Sequence, residues 1–456
     1  MRQLAPEILG EVFWWCIDSD IDVSDDLGGI SPKNAPLLLL RVCQWWRHVT
    51  FGTPRLWTIL ALQFTEDVDP HIIIPMWLRH SASLPISVYF NPDNWNFLDD
   101  RGPDRLCHAL EAARLIIPHF PRYKTFHASG SQRLFQGLLP PDSHTDAPLL
   151  ADLRFSLEKH FQPPEIQGTI YAPRLRHFEG WDIRSSLNLN HRHLRVLHLN
   201  LSGQSSLASL VPFLQSCASL EVCKLIRPCR DDTLLGKCHI LLPRLMLLDL
   251  TWEQRAHLQV SQFLNVINTP ALESLSLNEV GRLGERWFTP SLQSLLSPLP
   301  SRLKHLHLVG LQIQPDAMLP FLDMLPSLES LHVIGIALQT YFFDALTNEP
   351  MALLARCPKL SWLDLESSQV QLGLVRMIES RVPSAPGMLT SDACNLTRIS
   401  LGNCTGMSRT GLEVLARLVQ DNPDVRIDGL DNIRRMLDEE DLGVCETPHL
   451  LLIKFW

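Results

Sequence analysis

Hydrophobic residues recur along most of this chain in one phrase, Leu-x-x-Leu-x-Leu, which alternates with stretches of helix-like spacing. The clearest copy is Leu194, Leu197 and Leu199. Regular copies follow it, and they begin at Leu220, Leu245, Leu272, Leu303, Leu328, Leu360 and Leu396. Looser copies precede it, and they begin at Tyr123, Leu150 and Leu175. Successive copies begin roughly 25 to 30 residues apart, and the spacing widens toward the C-terminus.

Each phrase predicts a short strand with one buried face. Residues two apart in a strand point to the same side, so the last two leucines of a phrase share a face and the residue between them points away. One short strand cannot bury its leucines alone, whereas stacked copies build a continuous core. Between phrases, apolar residues follow helical spacing, as in Leu207, Leu210, Val211 and Leu214. The pattern therefore predicts an α/β solenoid of leucine-rich repeats, with parallel strands on its concave face and helices on its convex face.

The first 60 residues predict three short helices that carry more apolar surface than they can bury by themselves. Residues 4–17 form an amphipathic pattern, with Pro6 suited to the first turn. Its apolar side chains are Ile8, Leu9, Val12, Phe13 and Cys16. A second helix, from about residue 36 to residue 49, carries two apolar stripes. Short helices gain most of their stability from packing, so this segment either caps the repeats or docks another protein.

The order of residues in this segment resembles the F-box motif. The matching residues are Leu4-x-Pro6-Glu7-Ile8-Leu9, Phe13, Leu40-x-Val42-Cys43-x-x-Trp46-Arg47 and Leu56-Trp57. The chain is most similar to the F-box proteins abundant in mushroom-forming fungi, and residues 396–415 resemble the cysteine-containing leucine-rich repeats of F-box receptors. It departs from the family at Ala5, where proline is frequent, and in a long acidic insertion before Pro36.

The resemblance implies the substrate-recognition subunit of an SCF-type (Skp-cullin-F-box) ubiquitin ligase. In that family the F-box docks a Skp-type adaptor, and the repeats hold a target protein for ubiquitin-dependent catabolism. The implied adaptor-binding residues are Leu4, Pro6, Ile8, Leu9, Phe13, Val42, Cys43, Trp46 and Trp57. The alternative is a scaffold outside the ubiquitin system, in which the F-box-like helices only cap the solenoid. We expect Pro6, Leu9 and Trp46 to be exposed if they dock and buried if they cap.

The predicted organisation has three segments. Residues 1–60 are the F-box, and residues 61–430 are the leucine-rich-repeat solenoid, with atypical repeats to about residue 190 and regular ones after it. Residues 431–456 are a C-terminal cap or tail. No Pro- or Ser-rich linker separates the first two segments, so we expect them to pack together.

Residues between the leucines are predicted to face the concave surface, where a target protein would bind. Trp362 either offers an aromatic anchor there, beside groups that pair with a polar partner, or is packed under a neighbouring loop. The predicted target-binding residues are His198, Lys224, Asp249, His305, His307, His332, Trp362, Asp364 and Glu366.

Catalysis and metal binding on that face are the less favoured interpretations. Asp249, Ser276 and His307 are the residue types of a hydrolase triad, but the histidine does not lie between acid and serine. His305, His307 and His332 are three zinc-ligand types on one face, although such histidines are more often plain polar residues. The sequence therefore predicts no catalytic residue, no metal and no cofactor.

Composition narrows the class further. A hydrophobic content of 45% with 20% charged residues is that of a folded chain. The net charge of -9 argues against nucleic-acid binding. No apolar run reaches the ~18 residues of a membrane span, and no secretory leader pattern is visible. The 11 cysteines form no Cys-x-x-Cys motif, which favours the reducing cytosol or nucleus.

Overall fold

A computed structural model was obtained for the chain. It describes residues 4–17, 30, 33–62, 69–91, 102–138, 144–157, 169–181, 191–201, 207–227, 238–253, 257–280, 302–311, 320, 322–335, 338, 340–347, 356–367, 370, 373–382 and 396–441. No helix within these ranges has the length and apolar character needed to cross a membrane. The chain divides into two compact units, residues 1–220 and residues 221–456. Both units are mixed α/β and are built on parallel strands.

The first unit begins with helices and continues with alternating helices and strands. Its helices are α1 (Pro6–Trp14), α2 (Leu39–Val42), α3 (Gln44–Gly52), α4 (Pro70–His80), α5 (Gly102–Ile116), α6 (Gln132–Leu138) and α7 (Leu207–Ser216). Short 3₁₀ turns lie at Pro54–Trp57, Ile117–Arg122 and His191–His193. Its strands are β1 (Ile59–Leu62), β2 (Ile86–Phe90), β3 (Tyr123–Gly130), β4 (His144–Asp146), β5 (Asp152–Leu157), β6 (Thr169–Tyr171), β7 (His177–Trp181) and β8 (Val196–Asn200). Strands β1, β2, β3, β5, β7 and β8 pair in that order, and β4 pairs with β6.

The second unit repeats the same alternation. Its strands are β9 (Val222–Ile226), β10 (Ile240–Leu241), β11 (Leu247–Glu253), β12 (Ile267–Asn268), β13 (Ser274–Val280), β14 (His305–Val309), β15 (Ser330–Ile334), β16 (Trp362–Glu366), β17 (Arg398–Gly402) and β18 (Arg426–Asp428). Its helices are α8 (His257–Val266), α9 (Thr340–Leu346), α10 (Gly373–Arg381), α11 (Arg409–Asp421) and α12 (Leu430–Asp441). Strands β9, β11, β13, β14, β15, β16, β17 and β18 form one parallel ladder, and β10 pairs with β12.

Every leucine phrase forms a strand, and the phrases stack in register. In the second unit the first apolar position of each strand aligns with that of the next, and all these side chains are buried. The aligned residues are Cys223, Leu248, Leu275, Leu306, Leu331, Leu363 and Ile399. The predicted parallel strands and the predicted helix at Leu207–Ser216 are therefore confirmed.

In the second unit, six strands are each followed directly by a residue with a left-handed backbone conformation. These strand-end residues are Arg227, Gly310, Gly335, Ser367, Asn403 and Gly429, with φ between 49° and 95°. At four of them the strand-end N–H donates to a carbonyl of the next strand: Arg227 to Thr251 O at 2.6 Å, Gly310 to Ile334 O at 2.8 Å, Gly335 to Glu366 O at 2.8 Å and Ser367 to Gly402 O at 2.7 Å. The chain thus leaves the sheet with the same backbone geometry each time.

Trp57 joins the N-terminal helices to the first strands. Its ring is fully buried, packs edge-on to Trp77 at 4.9 Å and stacks on Phe51 at 5.7 Å. Its Nε1 donates to Thr50 O at 2.9 Å, and Trp77 Nε1 donates to Ile59 O at 2.8 Å. Both indole N–H groups are therefore satisfied inside the core, and the N-terminal helices share one core with β1 and α4.

The division at residue 220 falls within the predicted solenoid, and the predicted boundaries at residues 60 and 430 stay predictions. Helix α12 covers the first part of the predicted C-terminal cap, whereas its last 15 residues, 442–456, lie outside the described residues. The same holds for most of the acidic insertion before Pro36.

Candidate functional site

Helix α1 has two apolar faces, and only one of them is buried. Leu9 and Phe13 point into the first unit, and the ring of Phe13 lies 4.8 Å from that of Trp46. The opposite face carries apolar side chains three or four residues apart, so they form one stripe on the helix. These are Leu4, Ile8, Val12 and Trp15, all exposed, with 56% of Ile8 and 83% of Trp15 accessible.

Two more large apolar side chains are exposed at α2, namely Leu38 just before it and Val42 at its end. We call the six residues Leu4, Ile8, Val12, Trp15, Leu38 and Val42 the N-terminal apolar surface. Single exposed leucines are ordinary on proteins. An apolar stripe along α1, continued by Leu4 before the helix and Trp15 after it, is not, and such surfaces usually mark contacts with another protein.

The predicted adaptor-binding residues divide between this surface and the core. Leu4, Pro6, Ile8, Val42 and Cys43 are exposed, and Trp46 is half-buried. The prediction is corrected at three positions, because the structure buries Leu9, Phe13 and Trp57. Their side chains fill the interior of the first unit, so they cannot meet a partner while the fold is intact.

Exposure was expected to distinguish docking from capping at Pro6, Leu9 and Trp46, and these three residues differ in exposure. Pro6 is exposed, Leu9 is buried and Trp46 is intermediate. The inner face of the N-terminal helices covers the core, as a cap does, and the outer face is left open. Sequence reasoning missed Val12, Trp15 and Leu38 as surface residues.

The predicted target-binding residues of the second unit lie in a polar row across its strands. Strand register places the central side chains next to one another, in the order Lys224, Asp249, Ser276, His307, His332, Asp364 and Ser400. His305 and Glu366 are exposed at neighbouring positions. The remaining predicted residue, His198, belongs to the first unit. We call this row, with Trp362, the second-unit polar row.

Contacts within the row are closest around His332. Its Nδ1 lies 3.1 Å from Asp364 Oδ2, and its ring lies 4.3 Å from Trp362 in an edge-on arrangement. The guanidinium of Arg398 lies 4.6 Å from the centre of the Trp362 ring, a cation–π distance. Trp362 is half-buried among these neighbours, so it is part of a packed polar face. The hydrogen bond from His332 and further bonds and charges outweigh burial and lower the pKa of Asp364.

His307 is the most desolvated histidine of this row. Burial lowers its pKa, the charge of His332 lowers it further, and the carboxylates of Asp249 and Asp364 oppose the shift. Its ring lies 5.5 Å from that of His332. The folded chain therefore keeps His307 neutral at a pH where an unfolded chain would protonate it.

We expect the stability of the protein to fall as pH drops below 6.5, with part of the loss due to His307. The unfolded state binds a proton at His307 that the folded state refuses, so unfolding is favoured increasingly through this window. His307→Gln should make the melting temperature less sensitive to pH between 7.5 and 5.5. His305→Gln, an exposed position on the same strand, is the control and should leave the slope unchanged. Equal slopes in both variants and the wild type would contradict this assignment.

The row lacks the order of groups that a proton relay needs. Ser276 Oγ lies 3.4 Å from His307 Nδ1, but the next side chain beyond His307 is His332. Asp249 lies on the other side of Ser276 and accepts a hydrogen bond from Asn278 at 3.2 Å. Ser276 therefore lies between Asp249 and His307, whereas a Ser-His-Asp mechanism requires the histidine to lie between the acid and the serine.

A second polar cluster lies on the strands of the first unit, and sequence reasoning identified only one of its members. The first-unit polar cluster consists of Tyr89, His127, Asp152, Arg154, His177, Glu179 and His198. The positions directly after the second apolar residue of each looser phrase are occupied by His127, Arg154 and Glu179.

Asp152 is the centre of this cluster. Arg154 donates to both of its oxygens, each at 3.1 Å, and His127 Nε2 lies 3.1 Å from Oδ1. Burial opposes ionisation of Asp152, but the hydrogen bonds from His127 and Arg154 outweigh this effect and lower its pKa to about 2. The charge of Arg154 is therefore already balanced by a carboxylate.

The remaining part of the cluster brings three metal-ligand types together. Donor atoms of His177, Glu179 and His198 all lie within 4.8 Å of one another. In the described part of the chain, the three histidines of the second unit that the sequence suggested as zinc ligands form no such group.

Comparisons with known proteins add no assignment to this picture. The chain matches no protein-family model, and no curated protein matches it. The resemblance to F-box proteins therefore rests on the sequence residues named above and stays a prediction.

Proposed function

We propose that this protein is the substrate-recognition subunit of an SCF-type ubiquitin ligase. In this proposal the N-terminal helices dock a Skp-type adaptor and leucine-rich repeats bind a target protein. The observation that carries it is the outward apolar face of α1, which coincides with residues of the F-box-like motif. Leu4 and Ile8 belong to both, and Val12 and Trp15 extend the stripe by two helical turns.

The two faces of α1 support docking in different ways. Leu9 and Phe13 fix the helix to the first unit, so its outer side chains are held in place before any partner arrives. Ile8 and Val12 are about half exposed, so burying the rest of each side chain against a partner contributes about 1 kcal/mol each. Because the helix is already ordered, little of that gain is offset by the entropy of folding it.

The strands support the second half of the proposal. They are parallel and in register, and helices lie between many of them in the described residues, which is the arrangement expected of leucine-rich repeats. The second-unit polar row offers histidines, carboxylates and an aromatic ring to a polar partner. The order of groups around His307 fits a receptor without catalytic activity better than a hydrolase.

The proposal includes a cellular setting. A cullin-RING ligase would join through the adaptor, and neither nucleic acid, membrane nor cofactor is required. We place the protein in the cytosol or nucleus, where its free cysteines stay reduced.

Ile8→Asp tests the docking half directly. Placing a charge in the apolar stripe should abolish co-purification with a Skp-type adaptor, because an unpaired carboxylate would be buried at the contact. The side chain is exposed in the free chain, so the melting temperature should stay within a few degrees of wild type. Ile72→Asp is the matched control, since Ile72 is 64% exposed on α4 of the same unit. It should leave adaptor binding intact.

The outcomes separate the two functions considered. Binding that survives Ile8→Asp, or no binding by the wild type, would favour the scaffold in which the N-terminal helices only cap the core. A Leu9→Asp variant would not distinguish them, because Leu9 is buried and its loss would unfold the unit.

A further inference from the structure

We propose that His177, Glu179 and His198 form a binding site for a divalent transition-metal ion such as Zn²⁺. The site lies on the polar face of β7 and β8 in the first unit, and it includes His198, one of the predicted target-binding residues.

Strand geometry brings the three side chains together. His177 and Glu179 are two residues apart on β7, so they point to the same face. His198 on β8 pairs in register with Glu179. Their donor atoms lie within 4.8 Å of one another, and Glu179 Oε2 is 3.7 Å from His198 Nδ1. Donors around a tetrahedral zinc ion lie about 3.4 Å apart, so side-chain shifts of about 1 Å close the site without a change in the strands.

The donor set selects the class of ion. Two imidazole nitrogens and one carboxylate oxygen suit zinc and its neighbours, whereas magnesium and calcium require oxygen ligands. Three protein donors also leave a fourth coordination position open.

His177 has a nitrogen available for a metal. Its Nε2 is buried and has no hydrogen-bond partner among the described residues. A nitrogen that is buried without a hydrogen-bond partner has no bond to water that must be broken before it binds a cation.

The surroundings of His177 supply an orienting partner. Its Nδ1 lies 3.8 Å from Asp152 Oδ2 and 3.2 Å from Arg154 Nη2. A guanidinium only donates, so in the metal-free chain Nδ1 accepts from Arg154 and the ring hydrogen lies on Nε2. Coordination through Nε2 therefore requires that the hydrogen moves to Nδ1 and that Nδ1 turns from Arg154 toward Asp152. A carboxylate behind a ligating histidine is the usual arrangement at zinc sites. Arg154 would give up its bond to Nδ1 and keep its two bonds to Asp152.

Glu179 Oε2 and His198 Nδ1 lie 3.7 Å apart in the absence of a metal. A divalent cation would bind between the carboxylate and the imidazole. Without a metal, the same residues would simply be a partly buried polar network.

Co²⁺ is the probe of choice, because its absorption spectrum reports both geometry and ligand type. The full chain, freed of metal with a chelator, is titrated with Co²⁺ and then with Zn²⁺ in competition. We expect one equivalent to bind with intense d–d bands and without the charge-transfer band of a thiolate, which separates this site from the exposed Cys16, Cys43 and Cys107.

Variants assign the site. His177→Ala and Glu179→Gln should each weaken binding at least about 100-fold, since losing a direct ligand exceeds the 10- to 100-fold effect of a second-shell change. His71→Ala is the control, because His71 forms an exposed pair with Glu111 elsewhere in the same unit. Circular dichroism confirms that each variant is folded, and His198→Gln replaces any that is not. No one-equivalent binding, or binding unaffected by these variants, would overturn the proposal.

Discussion

Trp57→Ala is expected to lower the free energy of unfolding by about 3 to 5 kcal/mol, the range for emptying a buried tryptophan site. Trp57 is fully buried between Phe51 of α3 and Trp77 of α4. Its removal opens a cavity between the N-terminal helices and the first strands. It also leaves Thr50 O without the indole donor. Chemical denaturation of the full chain measures the loss.

Trp57→Phe is the graded control for this result. It keeps most of the apolar volume but not the N–H donor, so it should cost clearly less than Trp57→Ala. If the role of Trp57 is only structural, Trp57→Ala should weaken adaptor binding only by destabilising the N-terminal helices. If Trp57→Ala removed adaptor binding while stability stayed at the wild-type level, Trp57 would be a docking residue after all.

Gly310→Ala is expected to cost about 3 kcal/mol, and Gly335→Ala only about 1 kcal/mol. Both glycines have φ of +68°, so the strain of placing alanine in the left-handed region is the same for each. Their surroundings differ. A Cβ on Gly310 would overlap the backbone carbonyl of Glu279, whereas one on Gly335 would approach nothing nearer than Gly310 Cα, at 3.9 Å.

Comparing the two variants separates the free-energy cost of steric overlap from that of backbone strain. Denaturant unfolding of both, under identical conditions, gives the difference directly. Equal losses would mean that β13 moves aside freely to accept the new methyl group. That result would contradict the close packing inferred at the end of β14.

The strands were predictable because their signal is local. In the phrase Leu306-His307-Leu308, alternation alone separates the buried leucines from the histidine, and the structure reproduces it. The repeated spacing then placed successive phrases side by side. His307 and His332 are neighbours for that reason.

The orientation of α1 was not predictable from spacing. Ile8 and Leu9 are adjacent apolar residues on a helix that is apolar on two sides. The side that faces the core is decided by what packs against it, in particular Trp46 of α3, whose ring contacts Phe13 of α1. No local rule distinguishes the two stripes, so core residues were assigned to the docking surface.

The first-unit polar cluster was missed for a related reason. Its strands carry looser phrases, in which aromatic residues such as Phe126 and Phe178 replace leucine. Their middle positions were therefore not read, although Glu179 pairs with His198 in the same way as His307 pairs with His332. The strand-end residues Arg227, Ser367 and Asn403 were also beyond prediction, because their side chains do not favour a positive φ strongly enough.

The strand-end residues have a consequence for how such a chain can change in length. Arg227, Gly310, Gly335 and Ser367 each end a strand and hydrogen-bond to the next one, so the pairing there does not depend on the length of the connection that follows. Strand β14 begins at His305 and β15 at Ser330, whereas β16 begins at Trp362 and β17 only at Arg398, yet all four pair in register. Insertions between strands can therefore accumulate over evolution without disturbing the rows of side chains that partners would read.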